Sequence, residues 1–170
     1  MQHISIRQIP ENSSSDLEPL YRDYLVEMIG NKEGDITAHL RTLSKYWAIE
    51  SHWPYWIYSG GAVAGFCLVR FYPGENGTHD IEQFFVSQKY RRQGIGATTL
   101  KQVLQLHPGD WLVRVLKTNE TGLLFWRRAI ETCIGDEYAC RFEQDEGFEM
   151  HFFRFCTDRP GTLQPVKSYR

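Results

Sequence analysis

The sequence predicts a mixed α/β fold, a largely antiparallel central sheet flanked by helices. Three observations carry that prediction. Apolar residues recur at helical spacing up to Trp47, then alternate or run together from Tyr55 onward. Gly60-Gly61 and the stretch from Pro73 to Gly77 separate the first of these runs closely enough to form hairpins. One helical segment then stands between two strand segments, which allows a parallel crossover among otherwise antiparallel neighbours.

Each element has its own signal. Ile4 and Ile6 alternate with polar residues, so residues 3–8 read as a strand. Ser13, Ser14 and Ser15 offer N-caps, and Ser15 with Glu18 has the capping-box spacing. Leu17, Leu20, Tyr21, Tyr24, Leu25 and Met28 follow along one helical stripe, which Gly30 stops. Ile36, Leu40, Leu43 and Trp47 form the stripe of a second helix. Residues 55–59, 62–72 and 80–87 read as strands, and Ile95–Leu106 as a helix ended by Pro108-Gly109. A strand over 111–116, a helix over 121–131 and a hairpin of strands over 138–143 and 150–156 complete the order β-α-α-β-β-β-α-β-α-β-β. Residues 1–156 are expected to form one domain, and residues 157–170, with Pro160, Gly161 and Pro165, a loosely ordered tail.

Composition narrows the function classes. The chain has 170 residues, 42% apolar and 14% aromatic, enough to pack a core without a metal or disulfide staple. Its net charge of −2 supplies no basic field, so nucleic acid is not an expected partner. Cys67, Cys133, Cys140 and Cys156 form no Cys-x-x-Cys pair and the histidines are scattered, so no metal site is expected and free thiols in a reducing cytoplasm are. The first ten residues have no leader pattern, and the longest apolar run, about eight residues, falls well short of the roughly 20 that cross a bilayer. A cytoplasmic protein without a membrane partner is expected, and a homodimer stays open.

The most informative stretch runs from Ile81 to Ala97. A strand enters a short basic turn, Arg91-Arg92-Gln93-Gly94-Ile95-Gly96-Ala97, which opens a helix. First-turn amides of a helix have no partner within it, and the helix dipole favours an anion there. Gly94 and Gly96 carry no side chains to block a diphosphate, and Arg91 and Arg92 add positive charge. A phosphate-bearing ligand fits this turn; an ordinary glycine-containing turn entering a helix has the same local composition. Thr99 stands where a dinucleotide fingerprint needs Gly or Ala, and no Gly-Lys-Ser/Thr of a Walker loop follows.

The turn resembles the Gln/Arg-x-x-Gly-x-Gly/Ala signature of the GNAT superfamily of acyl-CoA N-acyltransferases. Phe84-Phe85-Val86 before it is similar to that family's strand leading into the pyrophosphate loop. Asn119, Gly122 and Phe125-Trp126 downstream are similar to its Asn-x-x-Ala-x-x-Phe-Tyr segment. The resemblance implies a GNAT-like fold and acetyl-CoA as co-substrate, with no metal. It implies that Phe84, Phe85 and Val86 line the pantetheine arm and that backbone groups of Phe84 and Val86 pair with it. Arg91, Arg92, Gln93, Gly94, Ile95, Gly96 and Ala97 would hold the pyrophosphate, and Asn119 and Trp126 would touch the cofactor from the far side of a split in the sheet. Two positions depart from the pattern: Gly122 replaces Ala, and Trp126 replaces the Tyr that often protonates the leaving thiolate, which an indole cannot do.

The implied chemistry is direct attack by a primary amine, of a small molecule or a peptide, on the thioester. A lysine-like amine is neutral only about once in 2,500 molecules at pH 7, a cost of about 4.6 kcal/mol, which a base would relieve. Glu82 is the first candidate, two residues before Phe84 and sharing a face with Phe84 and Val86 on a regular strand. Asp80 and His79 follow. A backbone amide near Phe84 would hold the oxyanion. Tyr46, Trp47, Trp53, Tyr55 and Trp56 read as core packing, and Glu143, Asp145, Glu146 and Glu149 as a solvated hairpin turn. The alternative reading is a non-catalytic acyl-CoA sensor or interaction module.

Overall fold

The computed structural model describes residues 2–158. A seven-stranded sheet has the order β1-β2-β3-β4-β5-β7-β6. The strands are β1 (Ile4–Gln8), β2 (His52–Ser59), β3 (Ala62–Phe71), β4 (His79–Val86), β5 (Asp110–Leu116), β6 (Ala139–Asp145) and β7 (Phe148–Cys156). All neighbours are antiparallel except β4 and β5. The crossover between those two is the helix α4 (Ile95–Leu106). On one face lie α1 (Ser14–Ile29), α2 (Glu33–Arg41) and the single turn α3 (Lys45–Ala48). The other face is covered by α4 and α5 (Glu120–Ile134).

Burial on both faces explains the sequence of β3. Phe66 and Leu68 enter one core with Leu17, Tyr21, Leu25, Ile36 and Tyr46. Cys67 and Val69, pointing the other way, enter a second core with Leu100, Val103, Ile130 and Trp111. A strand covered twice reads as a continuous apolar run. None of the described helices is long and apolar enough to cross a membrane.

Several expectations need correction. The capping box of Ser15 does not form: a 3₁₀ turn over Glu11–Ser13 starts the helix at Ser14, and no side chain caps it. The second helix is broken. Thr42 Oγ1 donates to the His39 carbonyl at 2.7 Å, a local bond that competes with helix continuation. Trp47, at the end of the apparent stripe, turns its indole N–H onto the Ile9 carbonyl at 2.8 Å. The same link explains why β2 begins before Tyr55. The Ile9 amide donates to the Pro54 carbonyl at 2.9 Å, and the carbonyl of Ile9, which a proline cannot reach with an N–H, receives Trp47 instead. At the other end, the Thr157 amide donates to the Gly109 carbonyl at 2.9 Å. The rest of the expected tail, from residue 159, lies outside the described residues.

Candidate active site

β4 and β5 pair only at His79 with Trp111 and Asp80 with Leu112. Beyond those pairs the two strands separate, leaving the second half of β4 with an open edge. Crevices past the carboxyl ends of parallel strands are where mixed sheets admit ligands.

A bulge in β4 decides which side chains face which way. Leu68 pairs with Gln83 and Val69 with Ile81, so Glu82 is the extra residue. Ile81 and Phe84 belong to the α4/α5 core, whereas Gln83 bonds Tyr24 of α1 and Phe85 packs with Phe66. Glu82 therefore points to the α1–α3 face, opposite Phe84, and the shared face expected for a regular strand is corrected.

There Glu82 has three partners, two hydrogen-bond donors and one further ion pair. Lys45 Nζ lies at 2.8 Å, Arg70 Nη1 at 3.0 Å, and the Tyr46 hydroxyl donates to the second carboxylate oxygen. Arg70 also reaches Asp80, and Arg114 bridges Asp80 at 2.7 Å to Asp145 at 2.6 Å. Three cations and three carboxylates thus alternate across α3, β3, β4, β5 and β6. Asp145 belongs to this chain of charges and not to a solvated turn. Burial pushes the Glu82 carboxyl up, but the charge of Arg70 and the bonds from Lys45 and Tyr46 outweigh it and hold the group below the usual carboxylate range. Burial pushes Asp80 up against the pull of Arg114 and Arg70, and its side chain is sealed from solvent. His79, the other reserve candidate, is buried at the paired end of β4 among Trp53, Phe71, His107 and Trp111, away from the open edge.

The turn after β4 brings the predicted anion site together. Arg92 and Gly94 adopt left-handed backbone, with φ of 61° and 74°. Gly94 is the N-cap of α4 and offers no side-chain bond, so the amides of Ile95, Gly96 and Ala97 begin the helix uncapped. The first backbone bond of that turn runs from the Thr98 amide to the Gly94 carbonyl at 3.1 Å. Gln93 braces the turn through the Lys89 carbonyl at 3.2 Å, and Ile95 anchors it in the core. Gly96 also has a packing reason: a Cβ there would sit 2.5 Å from the Phe125 ring, so the missing side chain admits Phe125. Arg91 is also engaged. Its Nε donates to the Val86 carbonyl at 2.7 Å and its Nη2 reaches Glu27 of α1 at 2.7 Å, tying α1 to the end of β4.

Across the gap, the Asn119 side chain caps α5, accepting from the Gly122 amide at 2.9 Å. A Cβ on Gly122 would lie 2.4 Å from the Asn119 side chain, which accounts for glycine where the family pattern has alanine. Trp126 is buried edge-on against Phe84 at 5.1 Å and Phe125 at 5.0 Å. It is a packing wall for the gap. A surface cleft of about 670 Å³ lies elsewhere, at the beginning of β5 and the end of β7 beside Arg154 and Cys156. Among the described residues no group of three His, Cys, Asp or Glu could hold a metal ion.

An open β4 edge leading into an uncapped helix start is thus the candidate cofactor cleft. The chain belongs to the acetyltransferase (GNAT) family, which it matches over residues 16–129. Solved structures agree on the fold. The PaiA N-acetyltransferase from Thermoplasma acidophilum, in complex with coenzyme A, is 13% identical with a TM-score of 0.64, over 91% of this chain and 99% of that one. Spermidine N-acetyltransferase from Vibrio cholerae, in complex with CoA and spermine, is 9% identical with a TM-score of 0.63, over 91% and 95%. The RimL ribosomal L7/L12 α-N-protein acetyltransferase, in complex with coenzyme A, is 13% identical with a TM-score of 0.63, over 91% and 94%. No curated protein matches the chain significantly in sequence.

Proposed function

We propose that this protein is an acetyl-CoA-dependent N-acetyltransferase that acetylates a primary amine of a small molecule or peptide by direct attack. The observation that carries the reading is the uncapped start of α4 beside the open edge of β4. The free amides of residues 95–97 and the exposed Arg92 suit the diphosphate. The open edge from Phe84 to Val86 suits the amides of a pantetheine arm, which would add to β4 as a short strand. Acetyl-CoA supplies the activated acetyl group. Phe84, Phe125 and Trp126 wall the gap and limit water near the thioester. The fold family, and relatives solved with coenzyme A, support the same cofactor. Those relatives act on amines as different as spermidine and a ribosomal protein's α-amine by their printed names, so they support the reaction and not one acceptor.

The test has two stages. Acetyl-CoA at 100 times its dissociation constant should stabilise the fold by about 2.7 kcal/mol, visible as a thermal shift. Amines should then release free CoA thiol, with the acetylated amine appearing in equal amount. A thermal shift without thiol release from any amine favours the non-catalytic sensor.

A further inference from the structure

We propose that the protein forms a twofold-symmetric dimer through β6, which pairs antiparallel with the β6 of a second copy in the register that sets Phe142 opposite Phe142. The inference is independent of the acetyl-transfer reading above. Among the described residues β6 ends the sheet, with β7 on one side only.

The backbone of β6 presents a defined set of groups to its outer side. Residues along an antiparallel strand direct their N–H and C=O groups to alternate edges. The Lys117 amide donates to the Glu149 carbonyl at 3.0 Å, and the Thr157 amide to the Gly109 carbonyl at 2.9 Å. Odd-numbered residues of β7 therefore bond β5, and even-numbered ones bond β6. The partners of those even-numbered residues are Ala139, Arg141, Glu143 and Asp145. Cys140, Phe142 and Gln144 are left with their N–H and C=O groups directed outward. β6 also has neither the Lys nor the Pro that commonly guards an edge strand. The opposite edge differs: β1 lies against α4, and its Ile4 carbonyl accepts from the Gln102 side chain at 2.9 Å.

Charge selects the second copy as the partner and fixes the register. Pairing about Phe142 sets Arg141 opposite Glu143 of the second copy, and the twofold axis repeats that pair. Both pairs fall at positions without mutual backbone bonds, where facing side chains come closest. Phe142 with Phe142, and Cys140 with Gln144, fall at the bonded positions, each exchanging both backbone bonds. The Phe142 rings, 48% exposed in the single chain, cover each other at the axis. Sliding one strand by two residues brings either Arg141 opposite Arg141 or Glu143 opposite Glu143. In the second case Arg141 faces Asp145, which Arg114 and the Tyr72 hydroxyl already hold. In the favoured register Asp145, the last carboxylate of the charge chain, lies opposite the small Ala139 of the second copy, and the two sheets run as one.

Sedimentation velocity on the full chain tests the dimer and its register. The wild type at about 100 μM should sediment at twice the 19.9 kDa of one chain. Arg141→Glu, at an exposed position, sets Glu against Glu143 twice and should raise the dimer dissociation constant at least about tenfold. Arg141→Glu combined with Glu143→Arg restores opposite charges in the same register and should return the constant to within about threefold of wild type. Gln144→Pro removes an outward N–H, leaves the bonds to β7 in place and should also weaken the dimer at least about tenfold. Circular dichroism checks that each variant keeps its fold, and Gln144→Pro decides if Arg141→Glu does not. A monomeric wild type, a folded Arg141→Glu or Gln144→Pro as dimeric as wild type, or a folded double variant that stays monomeric would overturn the inference.

Discussion

Replacing Glu82 with Gln separates two roles that one carboxylate could have. The change keeps the shape and removes the charge. Arg70 retains Asp80 as a partner, and the Lys45 side chain, 28% exposed, can turn to water. The loss is therefore below the 3–5 kcal/mol of a fully orphaned buried charge, and nearer one or two charged hydrogen bonds, about 2–3 kcal/mol. Urea unfolding at pH 7 measures it. The pH dependence has a definite sign. The folded Glu82 carboxyl is held below its unfolded value, so its contribution is present above the unfolded pKa and is lost as pH falls through the folded one. The gap between wild type and Glu82→Gln should therefore be full at pH 7 and close in acid below about 4.3. Turnover at saturating amine should fall less than tenfold. A loss of 10²–10⁴ at pH 7 that recovers at high pH, with stability unchanged, is the signature of a general base and would refute a purely structural role in the charge network.

Other outcomes follow from the same contacts. Gly94→Ala should cost about 1–2 kcal/mol through its left-handed backbone, read by thermal unfolding. Gly96→Val should cost about 1–3 kcal/mol by collision with Phe125, and adding Phe125→Ala should recover part of it, which a double-mutant cycle detects. Trp126→Tyr should leave turnover unchanged or raise it, whereas Trp126→Ala should destabilise the fold by about 3–5 kcal/mol. Burial and the neighbouring His79 push the His107 imidazole down to about 4 while the Tyr55 hydroxyl sits 2.7 Å from its Nε2. Its folded pKa lies below the unfolded value, so stability should decline as pH falls from about 6.5 toward 4, and His107→Gln should flatten that decline in chemical unfolding.

Much of the fold was legible in the sequence because local signals and tertiary packing agree. The bounds of α4 were read to the residue, since Gly94 before it and Pro108-Gly109 after it are strong punctuation. The run of β3 and the stop at Gly30 follow the same logic. The break after Arg41 was hidden, because Ile36, Leu40, Leu43 and Trp47 keep helical spacing while a tertiary bond from Trp47 to Ile9 redirects the chain. The anion turn was legible as strand, basic turn and helix, although Gly96 and Arg91 have partners that spacing could not show. The bulge at Glu82 depends on the register with β3 and leaves no local mark, so the facing of Glu82 was misread. A signal for the charge network did exist. Arg70, Asp80 and Arg114 are lone charges in strands otherwise apolar enough to be buried on both faces, and such charges need one another. Tyr46 and Lys45, brought in by the short α3, had no comparable mark.

The cofactor site can be tested residue by residue by an amide-resolved NMR titration with acetyl-CoA. The largest shifts are expected at the amides of residues 94–97 and along 84–86, with Arg92 and Asn119, the N-cap of α5, following. Shifts concentrated instead at the cleft of Asp110, Trp111 and Arg154, with residues 94–97 unmoved, would contradict this assignment.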